Sequence, residues 1–180
     1  EPSRSFSDAF GEELLALAKQ DERICAITAA MTSGTGLSAF AKELPSRFFD
    51  VGIAEGHAVA MAGGMATQGL IPVFAVYSSF LQRGFDMLIH DISLDRLHAV
   101  FCVDRAGLVG ADGQTHHGCF DIGFLSAIPD MTVLCPASFS ELRSMLRYAI
   151  YNTAGPVAVR YPRGGEQAYT ACSDPVCFLQ

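Results

Sequence analysis

Apolar positions along the chain follow two rhythms in alternation. One is the three-to-four-residue spacing of a helix face, the other the unbroken run of a strand covered on both sides. Phe6, Phe10, Leu14 and Leu17 show the first, with Ser5 or Ser7 placed to cap the start and the charged KQDER closing the element. Residues 24–28 (ICAIT) show the second and lead into TAAMTSGTG, after which Leu37, Phe40, Ala41 and Leu44 predict a short helix. An apolar run ending at Val51 is followed by Gly52, then by Glu55 heading a segment of Ala, Gly and Met: a strand, a tight turn and a helix. On that helix Val59, Ala62, Gly63 and Ala66 recur at helical spacing, so a neighbouring helix can approach closely and the helix is expected to be buried.

The alternation continues to the end. Residues 71–77 (IPVFAVY) and 97–103 (LHAVFCV) read as buried strands, separated by a helix capped by Ser78 or Ser79 and running through Phe80, Leu81, Phe85, Leu88 and Ile89. A polar loop spans 104–118. A short strand follows at 132–134, then a helix reaching Tyr148 behind the capping-box pair Ser138 and Glu141, and a last strand at 157–160. Strand and helix in strict alternation predict an α/β domain over residues 1–165: doubly wound, with a mainly parallel sheet, helices on both faces, and ligands bound beyond the carboxyl ends of the strands. Residues 166–180 read as a linker.

Composition narrows the function. At 180 residues and 50% hydrophobic the chain can build one sizeable core. A net charge of −7 with no basic run excludes nucleic acid and anionic membrane as expected partners. No apolar run approaches the roughly 20 residues of a membrane span, and EPSRSFSDAF lacks the apolar core of a signal peptide, so the expected location is cytoplasmic. Six cysteines without a CxxC pair read as reduced, mostly core thiols, and their spacing argues against a metal site.

Candidate chemistry collects where strands end. Glu55 sits in a first helical turn, where the helix dipole favours the carboxylate and burial favours the acid, a balance suited to proton traffic. The loop 104–118, DRAGLVGADGQTHHG, has four glycines, two aspartates, an arginine and adjacent histidines, more than a turn requires. Arg105 and Arg163 could clamp a phosphate by fork geometry with Tyr77 adding a hydroxyl, or Arg105 could form a surface salt bridge with Asp104 or Asp112. Asp112, His116 and His117 could bond sugar hydroxyls or move protons. Phe80 could stack on a flat heterocycle or belong to the core. His57 is open between a functional and a packing role; His90 and His98 read as structural.

Four segments, FFDVGIAEGHAVAMAGGMA, VYSSFLQRGFDMLIHD, VDRAGLVGADGQTHHGCFD and VRYPRG, together resemble the central domain of the 1-deoxy-D-xylulose-5-phosphate synthase family, a relative of transketolases and of the β subunits of 2-oxo-acid dehydrogenases. The resemblance runs from about Phe6 to Gly165. It implies thiamine diphosphate as cofactor. It also implies a transferase that joins pyruvate and D-glyceraldehyde 3-phosphate with loss of CO2, an entry step to isoprenoids and a source of thiamine and pyridoxal precursors. Glu55 would bond N1′ of the aminopyrimidine and so activate thiazolium C2. Phe80 would stack on the pyrimidine with Arg83 nearby. Tyr77, Arg105 and Arg163 would hold the phosphorylated acceptor, and Asp112 and His116 would flank reacting hydroxyls.

Two departures stand out: Gly56 replaces the Gln common in that family, and no GDG segment with its following Asn is present to bind Mg2+ and diphosphate. The Mg2+ ligands are thus expected in an absent N-terminal domain, with a further C-terminal domain beyond the linker. The expected assembly is a homodimer, and the 180-residue chain alone is expected to be inactive. A half-transketolase or dehydrogenase β-type chain, and a non-catalytic phosphosugar-binding module, remain open beside this.

Overall fold

The structure, a computed structural model, describes residues 4–166; the linker expected at 166–180 lies, apart from its first residue, outside the described residues, as do Cys172 and Cys177. Six strands form one wholly parallel sheet in the order β2-β1-β3-β4-β6-β5, with β1 Ile24–Thr28, β2 Phe48–Asp50, β3 Ile71–Tyr77, β4 Val100–Asp104, β5 Thr132–Leu134 and β6 Val157–Arg160. The doubly wound expectation holds, with every strand pair parallel. The order reverses between β1 and β3, so the loops leaving those two strands diverge and open a crevice at the sheet's carboxyl end.

Side chains alternate between two cores because successive strand residues face opposite ways. Ile24, Ala26, Val73, Ala75, Val100, Cys102, Val157 and Val159 join the core covered by α1 (Phe6–Ala18), α2 (Ser38–Glu43) and α7 (Phe139–Tyr151). Ile27, Phe74, Val76, Phe101, Val103 and Ala158 join the opposite one, covered by α3 (Glu55–Thr67) and the segments after β3 and β4. Ile27, Phe74, Phe101 and Ala158 stand in one cross-strand row, which is why both faces need apolar cover.

The caps sort the serines. Ser5, not Ser7, caps α1, in a box with Asp8; Ser138 caps α7, but the Glu141 carboxylate reaches past it to the Ala137 N–H at 2.7 Å. The helix expected from Ser78 or Ser79 to Ile89 is broken instead into α4 (Ser78–Leu81), a 3-10 turn, α5 (Phe85–Met87) and a π-helical stretch Leu88–Ser93, and neither serine caps it. Close packing explains the break. A Cβ on Gly63 of α3 would stand 2.8 Å from the Asp91 carbonyl, and one on Gly84 would stand 2.9 Å from Val59. The small-residue face of α3 does admit a neighbour, while Ala60, Gly64 and Thr67 lie exposed, so α3 is buried on one face rather than all round. A helix absent from the sequence expectation, α6 (Asp121–Ser126), precedes β5. Among the described residues Cys25 and Cys102 are buried but Cys119 and Cys135 are exposed, all four free thiols, so the expected core placement holds for half of them. No helix among the described residues is long and apolar enough to cross a membrane.

Candidate active site

Each functional candidate follows a strand end. Asp50 closes β2 and accepts hydrogen bonds from the Ala30 N–H (2.8 Å), the Gly52 N–H (3.0 Å) and the Thr32 hydroxyl (3.0 Å). Gly52 has φ +71°, the left-handed turn that swings the chain from β2 into α3. Glu55 begins that helix and is 2% exposed, and its Oε1 accepts from Arg83 Nη1 at 2.7 Å. Arg83 is 57% exposed. Its guanidinium also lies 5.2 Å from the Phe80 ring centre, within cation–π range. Beside them Gly56 leaves room that Met87 fills: a Cβ there would be 2.7 Å from the Met87 methyl carbon.

Phe80 is half-buried between Tyr77, stacked at 5.6 Å and 20°, and His116, edge-on at 5.3 Å. It thus both closes the core under α3 and borders the site, uniting the two roles open to it in the sequence. The Ser78 and Ser79 hydroxyls nearby in the chain are buried and find no hydrogen-bond partner among the described residues. A buried carboxylate with one oxygen engaged, an aromatic ring and unpartnered hydroxyls form a donor and stacking set that suits a heteroaromatic group such as an aminopyrimidine. Among the described residues no group of three His, Cys, Asp or Glu is arranged to hold a metal.

The long loop is folded rather than open. Gly107 and Gly118 exchange two backbone hydrogen bonds at its neck, and the Val109 N–H donates to His117 Nδ1 at 3.1 Å. His117 therefore holds the loop together, whereas the His116 ring, among the described residues, hydrogen-bonds its neighbour Thr115 and reaches Phe80. Arg105 stands at the neck with φ +58°, its guanidinium 4.1 Å from the Tyr77 ring centre. Arg105 Nη1 donates to Asp104 Oδ2 (2.8 Å), Gly34 O (2.7 Å) and Ser7 Oγ (3.0 Å), and the Ser7 hydroxyl donates to Asp104 Oδ2 at 2.7 Å. With Arg105 15% exposed and Asp104 0%, this is a buried network and not the surface salt bridge the sequence left open. Burial pushes the Asp104 carboxyl up, against the opposing pull of Arg105 and Ser7. Burial likewise raises Tyr77.

Asp112 bridges the arginines, 2.8 Å from Arg163 Nε and 3.8 Å from Arg105 Nε. Both arginines line a polar cavity of about 280 Å³ with Ser5, Ser7, Asp8, Ser33, Gly34 and Gly164. The structure thus gathers Tyr77, Phe80, Arg83, Arg105, Asp112, His116, Arg163 and Glu55 at one sheet end, with the Tyr77 ring touching both the Phe80 and the Arg105 groups. His57 is exposed on α3, His90 pairs with Asp91, and His98 bonds the Ala149 carbonyl far from this end. Sequence reasoning missed Ser7, the Gly34 carbonyl and Asp50. It also missed the buried fork of Asp121 with Arg160 (2.8 and 3.2 Å), which anchors α6 to the end of β6.

Comparison with known proteins bears on the family and the fold. The family model for "Transketolase, pyrimidine binding domain" matches residues 3–166. The chain is 57% identical over 167 residues to the 1-deoxy-D-xylulose-5-phosphate synthase of Clostridium kluyveri, covering 93% of this chain and 27% of that protein. To the synthase of Halalkalibacterium halodurans it is 59% identical over 160 residues, 89% of this chain and 25% of that one. A solved structure described as "Split gene transketolase, inactive beta4 tetramer" is 30% identical with TM-score 0.79, over 89% of this chain and 52% of that chain. Transketolase from Campylobacter jejuni, at 20% identity and TM-score 0.83 over 96% of this chain and 28% of that one, shares the fold. The chain spans about a quarter of the length of these synthases.

Proposed function

The chain belongs to the family of transketolase pyrimidine-binding domains, and from that premise we propose that it is the pyrimidine-binding domain of a 1-deoxy-D-xylulose-5-phosphate synthase. The full-length enzyme would join pyruvate to D-glyceraldehyde 3-phosphate with release of CO2. One observation carries this reading: a buried carboxylate beside an aromatic ring shares a sheet end with two arginines that line a polar cavity. A non-catalytic phosphosugar module needs the second half of that arrangement and has no use for the first.

Bound thiamine diphosphate supplies a nucleophilic carbon and an electron sink for decarboxylation, chemistry that no side chain offers. The residues of this chain bind and orient. Glu55 bonds the aminopyrimidine ring and biases its proton, with Arg83 holding the free carboxylate oriented until the ring arrives. Phe80 offers its ring as a stacking face. Arg105 and Arg163 take the acceptor's phosphate by charge-assisted bonds, Tyr77 adds its hydroxyl, and Asp112 and His116 stand by the hydroxyls that gain or lose protons. Diphosphate and Mg2+ belong to another domain, and the homodimer expected of the whole enzyme completes the site. A split enzyme with a partner polypeptide is the second reading, favoured by the likeness to the split-gene transketolase; the higher identity to the synthases puts it behind the first.

The test is an assay of the full-length gene product with pyruvate and glyceraldehyde 3-phosphate, following CO2 and the five-carbon phosphosugar. Absence of that product with both substrates and cofactors supplied overturns the reading. A stop codon directly after Gln180 would favour the split enzyme. Calorimetric titration of the isolated chain with thiamine diphosphate and Mg2+ is expected to show no micromolar binding. One stacking face and a hydrogen bond or two, each worth about 1 kcal/mol, fall short of an association cost of several kcal/mol.

A further inference from the structure

We propose that Asp104, with Ser7, is a positioning residue: it fixes the Arg105 guanidinium at the wall of the polar cavity with Nη2 left unpartnered, and thereby sets affinity for the phosphate of the acceptor. The inference rests on the proposed function of this site. Arg105 would not hold this pose by its own preference. Its backbone is in the left-handed region, which disfavours a long side chain, and its side chain folds back over Tyr77. The Asp104 carboxylate holds both ends of the residue. Oδ1 accepts from the Arg105 backbone N–H at 2.7 Å, while Oδ2 accepts from Nη1 at 2.8 Å and from the Ser7 hydroxyl at 2.7 Å. Ser7 Oγ in turn accepts from Nη1, and the Gly34 carbonyl accepts from the same nitrogen.

Nη1 is therefore consumed by the protein, Nε is buried without a hydrogen bond 3.8 Å from Asp112 Oδ2, and Nη2, which forms no hydrogen bond among the described residues, is the nitrogen left for a ligand. The cavity wall formed by Ser5, Ser7, Gly34, Arg105 and Arg163 receives a guanidinium whose rotation is already arrested. A fork held in place loses less freedom on binding an oxyanion than one free to turn, so the buried carboxylate contributes to phosphate affinity without touching phosphate. Neither Asp104 nor Ser7 is near the Glu55 group in hydrogen-bond connectivity, so proton chemistry there should not depend on them. Ladder pairing of Tyr77 with Asp104 places the strand ends side by side, and this is what lets one carboxylate serve a ring-stacked arginine on the neighbouring residue.

The experiment compares Asp104→Asn, Ser7→Ala and Ser7→Thr with the parent in the full-length enzyme, using glyceraldehyde 3-phosphate and unphosphorylated glyceraldehyde as acceptors. Asp104→Asn is expected to raise KM for the phosphorylated acceptor about tenfold, with KM for pyruvate and for glyceraldehyde changed less than twofold. Ser7→Ala should give a smaller rise in the same sense, and Ser7→Thr, which keeps the hydroxyl, should recover parent behaviour. Equal damage to both acceptors, or no change in KM, overturns the proposal. If Asp104→Asn does not fold, the Ser7 pair decides by the same criterion. Arg163→Met, run in parallel, separates the two layers. If it raises the phosphate-specific KM while the Asp104 and Ser7 variants do not, the positioning role fails and the site reading stands. If none of them discriminates phosphate, the reading of the cavity itself falls.

Discussion

Two carboxylate–arginine pairs stand at the carboxyl end of the sheet, Glu55 with Arg83 and Asp104 with Arg105, and they are built in opposite ways. Both carboxylates are buried, but Arg83 is 57% exposed and reaches Glu55 through one hydrogen bond, whereas Arg105 is 15% exposed and tied to two side chains and a carbonyl. The first pair parts cheaply on one side alone: Arg83 keeps its hydration when it leaves, while the buried Glu55 carboxylate needs another hydrogen-bond donor in its place. The second cannot do so, since separation would strand a charge with no route to water. Under the proposed function, the carboxylate that would meet a ligand has an exposed, singly bonded arginine, and the one that would hold an arginine still has a buried network.

Breaking the exchangeable pair should produce the largest functional effect. In the full-length enzyme Glu55→Gln is expected to lower turnover by roughly a hundred- to ten-thousandfold, with unfolding temperature unchanged. Hydrogen exchange at the cofactor's C2 reads the same loss directly, and near-normal exchange would contradict the role given to Glu55.

Next in size is the stability contrast among the arginines. Removing Arg105 leaves Asp104 buried and unpaired, so Arg105→Met should cost about 3–5 kcal/mol in denaturant unfolding. Arg163, exposed and paired among the described residues with Asp112, should cost at most about 1 kcal/mol as Arg163→Met. Equal losses would mean that the network around Arg105 is not the buried device described above.

Gly56→Gln sharpens the first pair's surroundings. Its side chain must displace the Met87 methyl group, the far end of a flexible side chain 2.7 Å from where Cβ would stand, so the cost should stay below about 1 kcal/mol. The double variant with Met87→Ala should recover most of it, and failure to do so would place the strain elsewhere.

The smallest effect is a difference in pH slope. Asp104 has its pKa raised from 3.8 by burial, so its contribution to stability is present below that value and lost as pH rises through the raised one. At Asp50 burial also pushes upward, but the hydrogen bonds from Ala30, Gly52 and Thr32 together outweigh it and the pKa is lowered. Its contribution is present above 3.8 and lost as pH falls through the lowered value. Comparing each Asp→Asn variant with the parent from about pH 2 to about pH 7 should therefore give slopes of opposite sign. Slopes of one sign would show that the Arg105 network outweighs burial at Asp104.

Much of this was legible before any coordinates. The runs at 24–28, 71–77 and 157–160 became strands with those bounds, because a strand covered on both faces is apolar along its length, with polar Thr28 and Arg160 standing only at strand ends. The candidate residues stood at strand ends because a parallel sheet leaves its loops there. α6 was not legible: it has six residues, no side-chain cap, and an exposed Phe120 and Ile122 that blur any helical period. The breaks at Gln82–Gly84 and in Leu88–Ser93 were also hidden, since they answer to Val59 and Gly63 on another helix.

What the sequence determined by itself is periodicity, caps and composition: the alternation of strand and helix, a helix start at Ser5 or Ser7 and another at Ser138, and a Glu heading a small-residue helix. These depend on neighbours within a turn or two, and local chemistry suffices to write them. Only the tertiary structure decided that Ser7 meets Asp104 across 97 residues, that Asp121 meets Arg160 across 39, and that Asp112 sits between two arginines. Those pairings follow from the strand order β2-β1-β3-β4-β6-β5. No residue pattern encodes that order locally, because it is chosen by burying both sheet faces at once, and it is this choice that turns separate polar loops into one site.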